Sequence, residues 1–145
     1  MNDDGSIRVL NNDYIEDKSQ WSGGIGRATV VDPSKNEGYL KVKFVRFQPA
    51  GDYKILETDY ENYTVIYTCI GVPHIFNIEY DWILTREANP SEEVMNKALS
   101  VLAAKVPKYN ISALQSTPQG STCPYDTAPK SQMESEVGFF DGYLQ

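Results

Sequence analysis

Few side chains in this sequence have the types and spacing that catalysis or metal binding requires. His74 is the only histidine, and it has no second histidine or cysteine pair at metal-ligand spacing. A catalytic nucleophile needs a base beside it, and no such pair is evident. Glu57, Glu79 and Asp81 alternate with apolar residues, which is typical of charges on the solvent face of a strand. The sequence therefore predicts no metal site, no catalytic residue and no enzyme.

Apolar and aromatic side chains offer a different chemistry, the binding of a hydrophobic molecule. Aromatic residues make up 12% of the chain, and most of them are tyrosines, which favour strands and can line a site that is apolar with polar tips. Residues 53–69 place two runs rich in Ile, Val and Tyr around the polar patch 59–62. This pattern predicts a hairpin with an apolar face that contacts either the protein core or a ligand.

The elements that would position these side chains are mainly strands. Period-two alternation is clearest where Leu40, Val42 and Phe44 alternate with Lys41 and Lys43. Short loops rich in Gly, Pro and Asp separate the strands, so an antiparallel meander of about six strands is expected. The predicted strands lie near 7–9, 23–31, 40–44, 53–58, 63–70 and 78–85.

One helix and a tail are expected after the strands. Asn89 or Ser91 can cap the helix, and Pro107 ends it. Residues 109–115 are interpreted as a short last strand. We expect residues 1–115 to form the strands and packed helix, and residues 116–145 to form an extended, partly disordered tail. The pattern alone leaves a closed barrel and an open sandwich equally possible.

Charge and short motifs limit the partners and the compartment. The net charge of −7 argues against nucleic acid, and no apolar run is long enough to span a membrane. The polar start is unlike a signal peptide. Asn62 and Asn110 begin glycosylation acceptor motifs. Cys69 and Cys123 could pair with each other, stay free or pair with cysteines outside this chain.

Several motifs in consistent order resemble the lipocalin family, closest to its apolipoprotein D-like branch. Thr58, Asp59 and Tyr60 match the family's threonine–aspartate–tyrosine turn. Residues 81–86 are similar to its closing strand, which ends in an arginine, here Arg86. Residues 116–126 resemble its C-terminal stretch with a cysteine, here Cys123. The resemblance covers roughly residues 6–126.

The resemblance implies an all-β fold with one helix. The expected architecture is an antiparallel up-and-down barrel with a C-terminal α-helix packed outside. The family's first strand, with its Gly-x-Trp motif, has no counterpart here, so the barrel is expected to be incomplete, with about six or seven strands. Arg86 then lacks its usual tryptophan partner. Cys69 and Cys123 lack the N-terminal cysteines that they bond in relatives. The resemblance also implies secretion for a full-length relative.

The resemblance further implies that the interior binds a small hydrophobic molecule such as a fatty acid, sterol, retinoid or tetrapyrrole pigment, without a cofactor. Trp82 is the strongest candidate because the matching tryptophan lines the pocket in relatives. Alternation predicts these lining residues: Val9, Leu40, Val42, Phe44, Tyr53, Ile55, Tyr63, Val65, Tyr67, Tyr80, Trp82 and Leu84. The choice of face on the hairpin inverts if the pattern is shifted by one residue. The competing interpretations are a core without ligand and an incomplete barrel that self-associates through an open sheet edge.

Overall fold

The structure, a computed structural model, describes residues 2–44, 50–72, 76–120 and 123–128, with the backbone alone for 70–72, 76 and 77. It contains strands, one α-helix and short 3-10 turns. The strands are β1 (Ile7–Ile15), β2 (Gln20–Val30), β3 (Tyr39–Lys43), β4 (Gly51–Thr58), β5 (Tyr63–Val72) and β6 (Phe76–Thr85). The helix is α1 (Glu92–Lys105), and the 3-10 turns are Glu16–Lys18, Ile111–Ala113 and Tyr125–Thr127.

The strands form one sheet in chain order, β1-β2-β3-β4-β5-β6. The prediction of an up-and-down antiparallel sheet followed by a single helix is confirmed. The prediction of a last strand at 109–115 is wrong. The side chain of Asn110 accepts a hydrogen bond from the Ser112 backbone N–H at 3.2 Å, which starts a 3-10 turn at Ile111. Most of the predicted tail, 129–145, lies outside the described residues, so the domain boundary at 115 stays a prediction.

The chain divides into two compact units. The first comprises residues 1–29, 42–50 and 121–145, so far as they are described. Its β1 and β2 form a regular hairpin from the Ile7–Ala28 pair to the Ile15–Gln20 pair. Gly26 is required here because a Cβ atom would lie 2.8 Å from the Phe44 ring.

The second unit comprises residues 30–41 and 51–120, and it contains the strands β4, β5 and β6 together with α1. Ser91 is the N-cap of helix α1, and its hydroxyl accepts a hydrogen bond from the Val94 N–H at 3.3 Å. Of the two predicted caps, Asn89 and Ser91, the structure therefore uses Ser91. The helix packs on one face of the sheet and buries an apolar cluster. The buried members are Tyr63, Val65, Ala98, Val101 and Leu102.

A β-bulge interrupts β4 between Ile55 and Glu57, where Leu56 has no partner of its own on β5. The last residue of α1, Lys105, contacts this bulge. Its Nζ donates to the Leu56 carbonyl oxygen at 2.6 Å and lies 3.5 Å from the Glu57 carboxylate. The bulge carbonyl is therefore satisfied by the helix.

Candidate functional site

The candidate site is the face of β4–β6 that points away from α1, here called the distal face. Val65 packs against α1, and its neighbours on β5 therefore point to the opposite side. Cross-strand partners share a face, so Ile66 lies with Ile55 and Trp82. By the same register, the distal face consists of Tyr53, Ile55, Thr58, Thr64, Ile66, Thr68, Ile78, Tyr80, Trp82 and Leu84.

This face has a buried floor and an exposed apolar stripe. On β5, Ile66 is 1% exposed and Thr68 is 5% exposed. On β6, the apolar side chains are between 41% and 51% exposed. Tyr80 and Trp82 stack with ring centroids 5.7 Å apart and an interplanar angle of 13°. Contiguous exposed apolar surface of this kind is typical of a binding site.

A pocket of about 400 Å³ lies at the hairpin end of the distal face. Among the described residues that line it, Arg86 is the only cation. The Arg86 guanidinium donates to the Tyr60 carbonyl oxygen at 3.2 Å, and the Arg86 N–H donates to the Asn62 carbonyl oxygen at 3.0 Å. The lining residues are Ile55, Thr58, Tyr60, Asn62, Tyr63, Thr64, Leu84, Thr85 and Arg86.

The turn beside this pocket is organised by Asp59. Its carboxylate accepts hydrogen bonds from the backbone N–H groups of Tyr63 at 3.0 Å, Asn62 at 2.7 Å and Glu61 at 3.1 Å. These bonds, that of Tyr63 first, hold the pKa of Asp59 far below its usual value. Tyr60 adopts a positive φ of 65°, and its side chain is 82% exposed. The hydrogen bonds of Asp59 therefore give it the role of organising this turn.

The predicted lining residues divide between the two faces. Tyr53, Ile55, Tyr80, Trp82 and Leu84 lie together on the distal face. Burial raises the pKa of Tyr53, which matches its place beside this apolar surface.

The grouping of Tyr63, Val65 and Tyr67 with Trp82 requires correction. Tyr63 and Val65, 4% and 0% exposed, belong to the α1 cluster, and the Tyr67 hydroxyl donates to Glu79 at 3.2 Å on that same side. Both faces of β5 are rich in large side chains, so its alternation could not identify the inner one. The residues that pattern reasoning missed are Thr64, Ile66 and Thr68.

Of the four remaining candidates, Val9 lies on β1, Leu40 and Val42 lie on β3, and Phe44 directly follows β3. Val9 pairs with Gly26 in the β1–β2 hairpin, and the Phe44 ring covers the same glycine. Leu40 is 7% exposed, and Val42 is half-buried. Their role in ligand binding stays a prediction.

Asp81 differs from the solvated charge that the sequence indicated. It is 8% exposed on the α1 side of β6, and among the described residues neither carboxylate oxygen has a hydrogen-bond partner. Burial, with a contribution from the charge of Glu79, raises the pKa of Asp81 to about 6. The Asp81 charge also helps burial to raise the pKa of Tyr109, which packs on the α1 cluster. This acid therefore faces the protein core and not the distal face.

The remaining predicted sites concern the cysteines, the glycosylation motifs and metal binding. Cys69 and Cys123 are free thiols. Asn62 and Asn110 are exposed, so both acceptor motifs stay predictions. Within the described ranges, no cluster of His, Cys, Asp and Glu could hold a metal ion, and no helix is long and apolar enough to cross a membrane. His74 lies outside the described residues.

Several known proteins are similar to this chain in sequence. A family model for the lipocalin-like domain matches residues 1–119. Apolipoprotein D from Macaca fascicularis is 30% identical over 126 residues, which cover 83% of this chain and 65% of that protein. Temperature-induced lipocalin-1 from Arabidopsis thaliana is 35% identical over 139 residues, covering 90% of this chain and 68% of the relative.

A solved structure gives the same result. Lobster apocrustacyanin A1 superposes with a TM-score of 0.70 at 26% identity, covering 88% of this chain and 67% of that one. The chain spans about two thirds of the length of the apolipoprotein D to which it is similar. With the family model matching most of its length, this chain belongs to the lipocalin family, and its fold is that of an incomplete up-and-down lipocalin barrel with one helix.

Proposed function

We propose that this protein binds and carries a small hydrophobic molecule on the distal face. The observation that carries the proposal is the exposed apolar stripe formed by Ile78, Tyr80, Trp82 and Leu84 on β6. Apolar surface removed from water contributes roughly 25 cal/mol per Å², so a ligand that covers a few hundred Å² gains several kcal/mol without directed chemistry. Membership of the lipocalin family supports the same function.

The candidate ligands are a fatty acid, a sterol, a retinoid and a tetrapyrrole pigment. Relatives include proteins named as an apolipoprotein and an outer membrane lipoprotein, which supports a lipid-like ligand. The binding role involves no catalytic step and no cofactor. Secretion, expected for a full-length relative, is proposed for this protein on the basis of its similarity to apolipoprotein D.

Tryptophan fluorescence tests the proposal because the sequence contains only two tryptophans. The Trp21→Phe variant leaves Trp82 as the sole reporter on the distal face. Titration with one member of each ligand class should give saturable quenching for at least one class. In the matched Trp82→Phe variant, only Trp21 reports, and the quenching should be lost. If no class changes the Trp82 signal in a saturable way, the proposal is wrong.

A second candidate function, self-association, is favoured by the position of β6 at the end of the strand order. Among the described strands β6 pairs only with β5, so its other edge offers unpaired backbone groups beside an apolar stripe. Sedimentation equilibrium would detect a dimer, and Trp82→Lys should dissociate it by placing charge in the contact. A monomer at every concentration tested rules this candidate out.

A further inference from the structure

Charge is segregated between the two faces of β4–β6. Every charged residue on these strands whose side chain is described lies on the α1 side. These residues are Asp52, Lys54, Glu57, Glu79 and Asp81. The only ionisable groups among the described side chains of the distal face are the phenols of Tyr53 and Tyr80.

This segregation has a direct consequence for the ligand. An ionised group that leaves water without a partner costs several kcal/mol, and the distal face offers no cation to receive a carboxylate. Arg86 lies at the pocket end and already donates to the Tyr60 carbonyl oxygen. The net charge of −7 also opposes the approach of an anion. The face therefore favours a neutral molecule.

The three described threonines of the distal face, Thr58, Thr64 and Thr68, differ in how their hydroxyl groups are hydrogen-bonded. The Thr64 hydroxyl donates to the Thr58 hydroxyl at 2.9 Å, and the Thr58 hydroxyl donates to the Tyr63 carbonyl oxygen at 2.8 Å. In contrast, the buried Thr68 hydroxyl has no hydrogen-bond partner among the described residues. A buried polar group left in this way costs about 1–3 kcal/mol, so a ligand group that bonds to it recovers part of that cost.

The position of Thr68 connects it with the aromatic stripe. Its cross-strand partner is Tyr80, which stacks on Trp82. Tyr80 is 45% exposed, so part of its ring faces solvent, and access to the buried hydroxyl of Thr68 requires this ring to turn aside. A flat or elongated apolar molecule can lie along the two rings with one polar end at Thr68.

We infer that the distal face selects a neutral, flat or elongated apolar molecule with one hydroxyl or carbonyl group, and that this group hydrogen-bonds to Thr68. The inference rests on the proposed binding function and names the ligand class. It separates alcohols, aldehydes and ketones from carboxylates with the same skeleton. Thr68 is then a specificity-determining residue.

Three fluorescent polyene probes test the inference. Retinol and retinoic acid share a skeleton but differ in charge at a pH where the acid is ionised, and diphenylhexatriene has no hydrogen-bonding group. Wild-type protein should bind retinol about tenfold or more tightly than retinoate. Thr68→Val removes the hydroxyl at nearly constant side-chain shape. It should weaken retinol binding about 3- to 10-fold and leave the affinity for diphenylhexatriene unchanged. Thr29→Val makes the same change at an exposed position and should alter neither.

The outcomes distinguish failure of the inferred ligand class from failure of the proposed binding function. Equal affinity for retinol and retinoate overturns the selection of a neutral ligand. Equal weakening of retinol and diphenylhexatriene by Thr68→Val overturns the hydrogen bond, provided that circular dichroism shows an unchanged fold. Binding of diphenylhexatriene without preference among the retinoids defeats this inference but leaves the proposed function intact. Failure of all three probes to bind the wild type counts against the proposed function itself.

Discussion

Replacing Asp81 with Asn should make this protein more stable at neutral pH. Asp81 is buried on the α1 side of β6, and its carboxylate oxygens have no partner among the described residues. Burial disfavours the charged form and raises its pKa from 3.8 to about 6. Between these values the native state binds more protons than the unfolded state. The free energy of unfolding therefore falls as pH rises from about 4 to about 6, and it stays lower above that range.

The size of the effect follows from the shift in pKa. A shift of about two units corresponds to about 3 kcal/mol, since each unit is worth 1.36 kcal/mol. Solvent screening and the nearby charge of Glu79 reduce the share that removal of one charge recovers. We therefore expect Asp81→Asn to raise the free energy of unfolding by about 1–2 kcal/mol near pH 7.5. Near pH 3.5, below both pKa values, the carboxyl is mostly protonated in the native and the unfolded state, and the two proteins should be about equally stable.

Urea denaturation at both pH values measures this difference. Glu61→Gln serves as the control because it removes the same charge from an exposed turn residue, and it should change stability little at either pH. If Asp81→Asn destabilises the protein near pH 7.5, or if its effect is the same at both pH values, the description of Asp81 as a buried, unpartnered acid is refuted.

Three further predictions concern packing and the turn. Leu102 is 0% exposed and packs against β5. Leu102→Ala should therefore lower the free energy of unfolding, measured by chemical denaturation, by about 2–5 kcal/mol. A variant as stable as the wild type would contradict the packing of α1. Gly26→Ala should lower the free energy of unfolding by about 1–3 kcal/mol because the added Cβ meets the Phe44 ring. The double variant with Phe44→Leu should recover part of that stability. If it recovers none, the contact with Phe44 is not the cause. Asp59→Ala should lower the melting temperature because the turn loses its hydrogen-bond acceptor. Asp59→Asn keeps one amide oxygen and should lower the melting temperature less. The reverse order would argue against the hydrogen-bonded turn.

The strands and the helix could be predicted because their signals are local. Alternation correctly places Leu40 and Val42 on a strand, which ends at Lys43, one residue before Phe44, and Ser91 caps α1 through a hydrogen bond to its near neighbour Val94. Asp81 shows the limit of such signals. In sequence it resembles an exposed charge between apolar residues, but its burial depends on the α1 side of the sheet, which only the folded chain defines.

The inner face of β5 could not be assigned from alternation, because Tyr63 and Val65 are as apolar as Ile66. Helix α1 packs on Tyr63 and Val65, which places Ile66 on the opposite face of β5. One available signal was the hairpin register. The turn at 59–62 pairs Thr58 with Thr64, and that register carries Ile66 to Ile55 and onward to Trp82. Following Trp82 across the sheet would have identified the correct side.

The bulge in β4 restricts how α1 can slide along the sheet. Lys105 at the end of the helix meets both the spare Leu56 carbonyl and the Glu57 carboxylate. A regular strand repeats its contacts at even intervals and would accept the helix at several positions. An irregularity that occurs once along the strand gives the helix a single docking position, because displacement by one turn would leave the carbonyl and the carboxylate without their cation.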